Sequence, residues 1–164
     1  MSFLLKLTDL HTAFGRLLDK LQPLALLAAR LYVADVFIRS GWLKFTSWDQ
    51  TVDLFTTEYH VPVLSPFAAA VAGTFGELFF PALLVLGLFG RPGALGTFVV
   101  NAMAVISYSQ VLLAEGFEAA LAQHILWGTL TVGLAVFGPG AISIDWLLER
   151  RSASRERLLA AALS

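Results

Sequence analysis

The chain of 164 residues contains no cysteine. This absence excludes a disulfide scaffold, an intramembrane thiol relay and any thiolate-ligated metal or iron–sulfur site on the chain. Charged residues make up only 14% of the sequence, compared with about a quarter in an ordinary soluble domain. The net charge of −1 offers no basic surface for phosphate groups, so we expect no nucleic-acid partner.

The sequence also has no dinucleotide-binding fingerprint, phosphate-binding loop or catalytic triad. It is rich instead in apolar residues, which make up 57% of the chain. Four apolar runs approach the roughly 20 residues that a helix needs to cross a bilayer. They extend over about Pro23 to Trp42, Pro66 to Phe89, Pro92 to Leu113 and Ala119 to Phe137. Because short connections make sequential helices antiparallel neighbours, we expect an all-α, integral membrane four-helix up-down-up-down bundle.

Amphipathic segments flank the predicted bundle. At the amino terminus, apolar residues recur at helical spacing opposite charged ones: Leu7, Leu10, Phe14, Leu17 and Leu21. This pattern is typical of a helix that lies in the lipid headgroup layer. We therefore divide the chain into an interfacial helix at residues 1–21, a bundle at 22–140 and a basic, cytoplasmic amphipathic tail at 141–164. Between the first two spans, Ser47 is predicted to cap a short interfacial helix that Pro62 ends.

The distribution of basic residues predicts the orientation of the chain. Basic side chains precede the first span, occupy the turn between the second and third spans at Arg91, and recur after the fourth span. The connections on the opposite side carry mainly aspartate and glutamate. Because basic loops stay in the cytoplasm, we predict a multi-pass protein of the cell inner membrane with both termini cytoplasmic.

Glu77 lies near the middle of the second predicted span, where an ionised carboxylate must find a partner, lose its charge or face water. At 100° per residue, the first span places Arg30 and Lys44 on one face. We expect Glu77 to pair with Arg30 or, as the second alternative, with Lys44. Asp35 and Arg39 lie one turn apart on another face and are expected to pair with each other. Whether these pairs serve function or only fix helix register is left open.

Polar residues of the third and fourth spans can extend this intramembrane polar network. Asn101 and Tyr108 fall on one face of the third span, and His124 is the only histidine inside a predicted span. His11 and His60 are predicted on opposite sides of the membrane, which excludes a three-histidine metal site. We therefore predict no metal site.

Several landmarks in this order resemble the DoxX family of small four-helix membrane proteins. The landmarks are Arg30, Gly41-x-x-Lys44-Phe45, Glu77, Leu86-Gly-Leu88 with Arg91-Pro92, and Gly138-Pro-Gly140-x-x-Ser143-x-Asp145. The resemblance covers roughly Leu27 to Leu147, so both flanking segments lie outside most of it. It implies the four-helix fold and a link to redox or oxidative-stress systems, since some DoxX-type proteins are subunits of a thiosulfate:quinone oxidoreductase.

The leading hypothesis is an accessory membrane protein of a redox or oxidative-stress system that binds a quinone-like molecule between its helices. A flat ring with carbonyl oxygens suits an apolar pocket with a few polar groups. In this hypothesis Arg30 and His124 donate to the ring oxygens and Glu77 orients Arg30. The chain is then at most a membrane subunit of an oxidoreductase, with no covalent cofactor, and it requires a soluble or membrane-associated protein partner.

The alternative is a non-enzymatic protein that works with neighbouring gene products, in stress or metal handling. It could be a membrane anchor, an assembly partner or a small transporter. A bundle of this size needs a homo-oligomer to transport a solute.

Overall fold

The computed structural model describes residues 2–163, with side chains described over 4–162. Met1 and Ser164, the outer ends of the two predicted flanking segments, lie outside this range. The described part of the chain contains seven α-helices and no strand. They are α1 (Ser2–Thr46), α2 (Trp48–Thr57), α3 (Pro66–Leu86), α4 (Gly90–Ser107), α5 (Ser109–Leu112), α6 (Glu118–Phe137) and α7 (Ile144–Leu163). The all-α class is therefore confirmed.

Helix α1 is continuous over 45 residues, which corresponds to a length of about 67 Å. The predicted amino-terminal amphipathic helix and the first span are therefore parts of one helix, with Pro23 in its interior. An interior proline removes one backbone hydrogen bond. The flanking leucine and alanine residues favour helix on both sides, so the helix does not end there. The location of residues 1–21 in the headgroup layer stays a prediction.

Three helices in the described range are long and apolar enough to cross a membrane: α1 from Leu4, α3 and α6. Helix α4 is not among them, since it begins with the polar sequence Gly90-Arg91-Pro92-Gly93. The predicted third span is also interrupted. Tyr108 leaves the helical conformation with φ −116° and ψ 22°, and the single turn of α5 follows it.

Local sequence signals mark both ends of α3, which ends at Leu86 and not at the predicted Phe89. Ser65 caps α3 by accepting a hydrogen bond from the backbone N–H of Ala68, and Pro66 occupies the first turn. Gly87 ends α3 with φ 61°, a conformation that favours glycine. Ser47 precedes α2 as predicted, but its side chain makes no capping hydrogen bond.

The buried core lies where α1 meets α3 and α6, and where α4 meets the same two helices. It is formed by Val33, Ala34, Phe37, Leu84, Ala94 and Leu134. Two glycines allow these helices to approach closely. A Cβ atom at Gly41 would lie 2.9 Å from the Cβ of Glu77, and one at Gly76 would lie 2.7 Å from a methyl group of Val100. A larger residue at either position would therefore force the helices apart.

Large apolar side chains remain exposed on the outer surface of the helices. Examples are Phe75 and Phe79 on α3, Val99 on α4, and Ile125 and Val136 on α6. An exposed apolar surface of this extent is rare on a soluble monomer. It is the surface expected when lipid surrounds the helices.

Candidate functional site

The polar residues predicted from the sequence do not form one network in the structure. Arg30 and Lys44 lie at opposite ends of the inner face of α1, and the Asp35–Arg39 pair lies on its outer face. Asn101 and His124 lie where α4 contacts α6, and Tyr108 lies beside α2. Each place has a different set of partners, and these partners decide which residues remain available for a ligand.

Arg30 is bound entirely by backbone carbonyl groups. Its Nε donates to the carbonyl oxygen of Leu84 at 2.7 Å, and its Nη2 donates to that of Val85 at 3.1 Å. Its Nη1 donates to the carbonyl oxygens of Pro139 and Ile142 at 2.6 and 2.8 Å. The residue is only 1% exposed. The predicted pair with Glu77 is therefore wrong, and the guanidinium of Arg30 is buried against these carbonyl groups, away from any ligand at the surface.

The segment around Gly138 to Asp145 builds the other half of the Arg30 contact. The carboxylate of Asp145 accepts hydrogen bonds from the N–H groups of Phe89 and Gly90 at 2.9 and 2.8 Å, at the start of α4. Ser143 accepts from the N–H of Trp146 at 3.2 Å and caps α7. Asp145 therefore caps α4, although it lies in the first turn of α7.

Lys44 is the partner of Glu77. Its Nζ donates to both carboxylate oxygens of Glu77 at 2.7 Å and to the hydroxyl oxygen of Ser40 at 2.8 Å. The two side chains are only 14% and 10% exposed. The second alternative from the sequence is thus confirmed. The pair joins α1 to α3 in an ion pair that is largely removed from solvent.

Asp35 and Arg39 form the predicted pair within α1, with Nε of Arg39 2.8 Å from Oδ1 of Asp35. Their side chains are 58% and 79% exposed. Both point away from α3 and α6, on the outer face of α1.

Tyr108 lies beside the carboxyl end of α2. Its hydroxyl donates to Glu58 at 3.1 Å, and Gln110 donates to the carbonyl oxygen of the same residue at 2.7 Å. The ring of Tyr108 packs edge-on against that of Tyr59, with centroids 5.0 Å apart. Burial raises the pKa of the Tyr59 phenol, and the negative charge of Glu77 acts in the same direction. These contacts attach α2 to the junction of α4 and α5.

Asn101 and His124 pair across α4 and α6. The amide nitrogen of Asn101 donates to the backbone carbonyl of His124 at 2.9 Å, and Nδ1 of His124 lies 2.9 Å from the amide oxygen. With its amide nitrogen used as a donor, Asn101 presents an acceptor to Nδ1, so Nδ1 carries the ring proton. In the neutral ring, Nε2 is then a hydrogen-bond acceptor.

The Asn101–His124 pair lines a groove between α4 and α6 with a volume of about 530 Å³. The remaining lining is largely apolar and includes Phe98, Ile106 and Ile125. Trp127 packs edge-on against the His124 ring at 4.9 Å and holds its orientation. The groove therefore combines a largely apolar surface with an oriented polar pair and the hydroxyl of Thr129, which is the usual character of a site for a small lipophilic molecule.

The described residues contain no group of three or more histidine, cysteine or acidic side chains that could hold a metal ion. Glu58 and the carbonyl groups around Arg30 were not predicted from the sequence. The positive φ angles of Gly138 and Gly140, 81° and 79°, mark the turn that presents the carbonyls. These glycines could have indicated the turn from the sequence. Their positions alone do not show which side chain donates hydrogen bonds to the carbonyl groups of the turn.

Comparisons with known proteins identify a family and a relative of the chain. A family model described as DoxX matches residues 25–110. The chain is 32% identical over 130 residues to Inner membrane protein YphA of Escherichia coli (strain K12), with 76% of this chain and 90% of YphA covered. No solved structure matches the chain significantly.

The Arg30 contact predicts a specific sensitivity to Arg30→Lys. A lysine presents its donors from one nitrogen atom and lacks the planar fork of arginine. We expect at least one buried carbonyl to lose its donor, with a loss of about 1–3 kcal/mol in unfolding free energy. The measurement is unfolding in mild detergent, with the exposed Arg151→Lys as the matched control. Equal stability of the two variants would contradict this role of Arg30.

The Lys44–Glu77 pair predicts strong coupling between its two members. Lys44→Met leaves a nearly buried carboxylate without its cation and should cost about 3–5 kcal/mol of stability. Removing both charges in Lys44→Met/Glu77→Met should cost less than the sum of the single changes, because no lone charge remains. A double-mutant cycle of unfolding free energies measures this difference. Additive effects would show that the two side chains do not stabilise each other.

Proposed function

This chain belongs to the DoxX family and is a membrane protein, and from that premise we propose that it is an inner-membrane accessory of a redox or oxidative-stress system. The observation that carries the proposal is the groove between α4 and α6, with the oriented Asn101–His124 pair on its wall. We propose that the groove holds a quinone-like molecule and opens laterally to lipid.

We further propose that α1, α3, α4 with α5, and α6 form a four-helix up-down-up-down bundle within residues 22–140. Two contacts support opposite directions for α1 and α3, because Arg30 reaches Leu84 whereas Lys44, later in α1, reaches the earlier Glu77. Gly41 and Gly76 support the close approach that such a bundle needs. The tail at 141–164 and both termini are placed in the cytoplasm on the basis of the charge distribution.

The hydrogen-bonding capacity of His124 suggests which form of the ligand the groove prefers. Nε2 makes no hydrogen bond within the described residues, and as an acceptor it matches a hydroxyl group better than a carbonyl oxygen. We therefore favour a quinol, the reduced form, over the quinone. Arg30 does not contribute to the proposed site, because its guanidinium is buried against backbone carbonyls.

A quinol in this groove would need a separate electron carrier, supplied by a soluble or membrane-associated partner. The groove lining supplies packing and one hydrogen bond, and these position a ring without accepting its electrons. The chain would then contribute ligand binding to a larger redox assembly.

The second candidate function is a non-enzymatic anchor or assembly partner. One observation favours it: Arg30, Lys44 and Glu77 are all engaged in contacts that hold the helices together. The same observation disfavours a transporter with an ion path through these charges. Folded protein that binds neither quinol nor quinone, but retains a protein partner, would support the anchor.

The proposed site predicts weaker quinol binding in His124→Phe. Phenylalanine keeps an aromatic ring beside Trp127 but removes the acceptor, and the loss of one hydrogen bond corresponds to roughly three- to tenfold weaker binding. The measurement is equilibrium titration of a short-chain quinol and its quinone into protein in nanodiscs, by calorimetry. The wild type should bind the quinol more tightly than the quinone.

Ile125→Val is the control for this titration, because it changes the groove without changing a polar group. It should bind the quinol like the wild type, and the unfolding temperature of each variant shows that the protein is folded. Equal quinol affinity of folded His124→Phe and Ile125→Val would remove His124 from the site.

The proposed orientation predicts the behaviour of reporters fused to the chain. A cytoplasm-active reporter at either terminus should be active, and a reporter inserted between α2 and α3 should be active only outside the cytoplasm. Activity of the carboxyl-terminal fusion only outside the cell would reverse the orientation. Opposite results at the two termini would contradict an even number of spans.

A further inference from the structure

The outer face of α1 carries a regular pattern that extends along the whole helix. Starting at Leu4 and stepping alternately by three and four residues to Thr46, every position is exposed. We call this row of positions the α1 seam. Steps of three and four produce the seven-residue repeat by which helices pair in a coiled coil.

The amino-terminal half of the seam is apolar apart from one histidine. Its members are Leu4, Leu7, His11, Phe14, Leu18 and Leu21. The charged residues of this half, such as Lys6, Asp9 and Arg16, fall away from the seam. This is the division between a contact face and a solvated face that a coiled coil shows.

The second half of the seam includes Tyr32, Asp35, Arg39 and Trp42, and it passes through the candidate membrane span. Gly41 of α1 lies against Glu77, which is near the middle of α3. Asp35 and Arg39 precede Gly41 by less than two turns, so they lie within about 10 Å of that level along the axis. The hydrocarbon layer extends about 15 Å from its centre. Both charges therefore face outward at the depth of the lipid tails.

The contact within this charged pair leaves most of its hydrogen-bonding groups unused. Only Nε of Arg39 and Oδ1 of Asp35 are bonded to each other, and the other side-chain nitrogens of Arg39 have no partner among the described residues. Lipid tails provide no acceptor for these donors, and polar groups left in hydrocarbon are costly. A second protein surface at this position would satisfy them.

We propose that the α1 seam is the interface of a parallel homodimer. This goes beyond the proposed function, because it assigns a partner to a surface that the groove does not use. A membrane gives both copies the same orientation, so a two-fold axis along its normal brings the two seams together in parallel. The surface is self-complementary, since each copy presents one carboxylate and one guanidinium.

The direction of helical side chains brings these charges to one level. Side chains on a helix lean toward its amino terminus, so the guanidinium of Arg39 lies near the level of Asp35. In the dimer, the Nη atoms of Arg39 can then donate to the carboxylate of Asp35 in the other copy. Four charges from two copies form one hydrogen-bonded group. The apolar half of the seam continues the same contact toward the amino terminus of α1.

Disulfide cross-linking tests this interface directly, because the chain has no cysteine of its own. Leu7→Cys and Phe14→Cys place single thiols in the seam, and Asp9→Cys and Arg16→Cys place them on the opposite face of the same helix. A disulfide requires Cα atoms about 4.4–6.8 Å apart. In oxidised native membranes, we expect covalent dimers for the two seam variants and monomers for the two controls.

The four cysteine variants distinguish a specific seam interface from random contact between helices. Equal dimer formation by all four variants would indicate random collision of helices that lie on the membrane surface, and it would overturn the proposal. Absence of dimers in all four would overturn it as well.

A second measurement examines the charges without a thiol. Asp35→Leu/Arg39→Leu removes both charges and leaves the contacts of α1 with α3 and α6 in place. In lipid vesicles, energy transfer between labelled copies should report association roughly three- to tenfold weaker than in the wild type. The exchanged pair Asp35→Arg/Arg39→Asp keeps both charges and should retain most of the association. Wild-type association of the leucine variant would show that the charges do not hold the dimer.

Discussion

The hydrogen bonds of Arg30 to four carbonyl groups are the contact on which the rest of the structure depends. A helix leaves its last carbonyl groups without intrahelical donors, and a membrane interior supplies no water to satisfy them. Leu84 and Val85 lie at such an end, and Pro139 and Ile142 lie in irregular chain. One buried guanidinium satisfies all four oxygens, and in doing so it holds α1, the end of α3 and the start of α7 at one place.

Arg30 and Lys44 divide the inner face of α1 between them. Arg30 fixes one end of the contact with α3 through backbone carbonyls, and Lys44 fixes the other through Glu77. Because both cations are bound across this contact, they fix α1 against α3, and we call these two helices the frame against which α4 and α6 pack. The groove with His124 then lies on the far side of that frame, where its shape does not depend on a mobile charge.

Much of this frame could be predicted from the sequence. The pairing of Arg30 could not, and the reason is physical. Helical periodicity placed Arg30 and Lys44 on one face correctly, and Glu77 was identified because a carboxylate in an apolar run needs a partner. Periodicity does not give the axial shift between two helices. Arg30 lies at the level of Leu84, and seven residues of helix separate that level from Glu77 by about 10 Å. The predicted boundary between residues 21 and 22 likewise falls inside α1, because helix-forming residues continue on both sides of Pro23.

Some polar side chains complete their hydrogen bonds within the chain, and these stabilise the fold. Side chains with unused donors or acceptors are the better candidates for binding a ligand or a partner. Charge in a membrane is costly, so Arg30 and Glu77 are the residues that the sequence singles out, yet both are buried in contacts that join the helices. Among the groups without a complete set of partners are Nε2 of His124 in the groove and the guanidinium of Arg39 on the outer face of α1. In a bilayer an unsatisfied polar group is a stronger sign of a missing partner than it is in water, because no solvent can replace that partner.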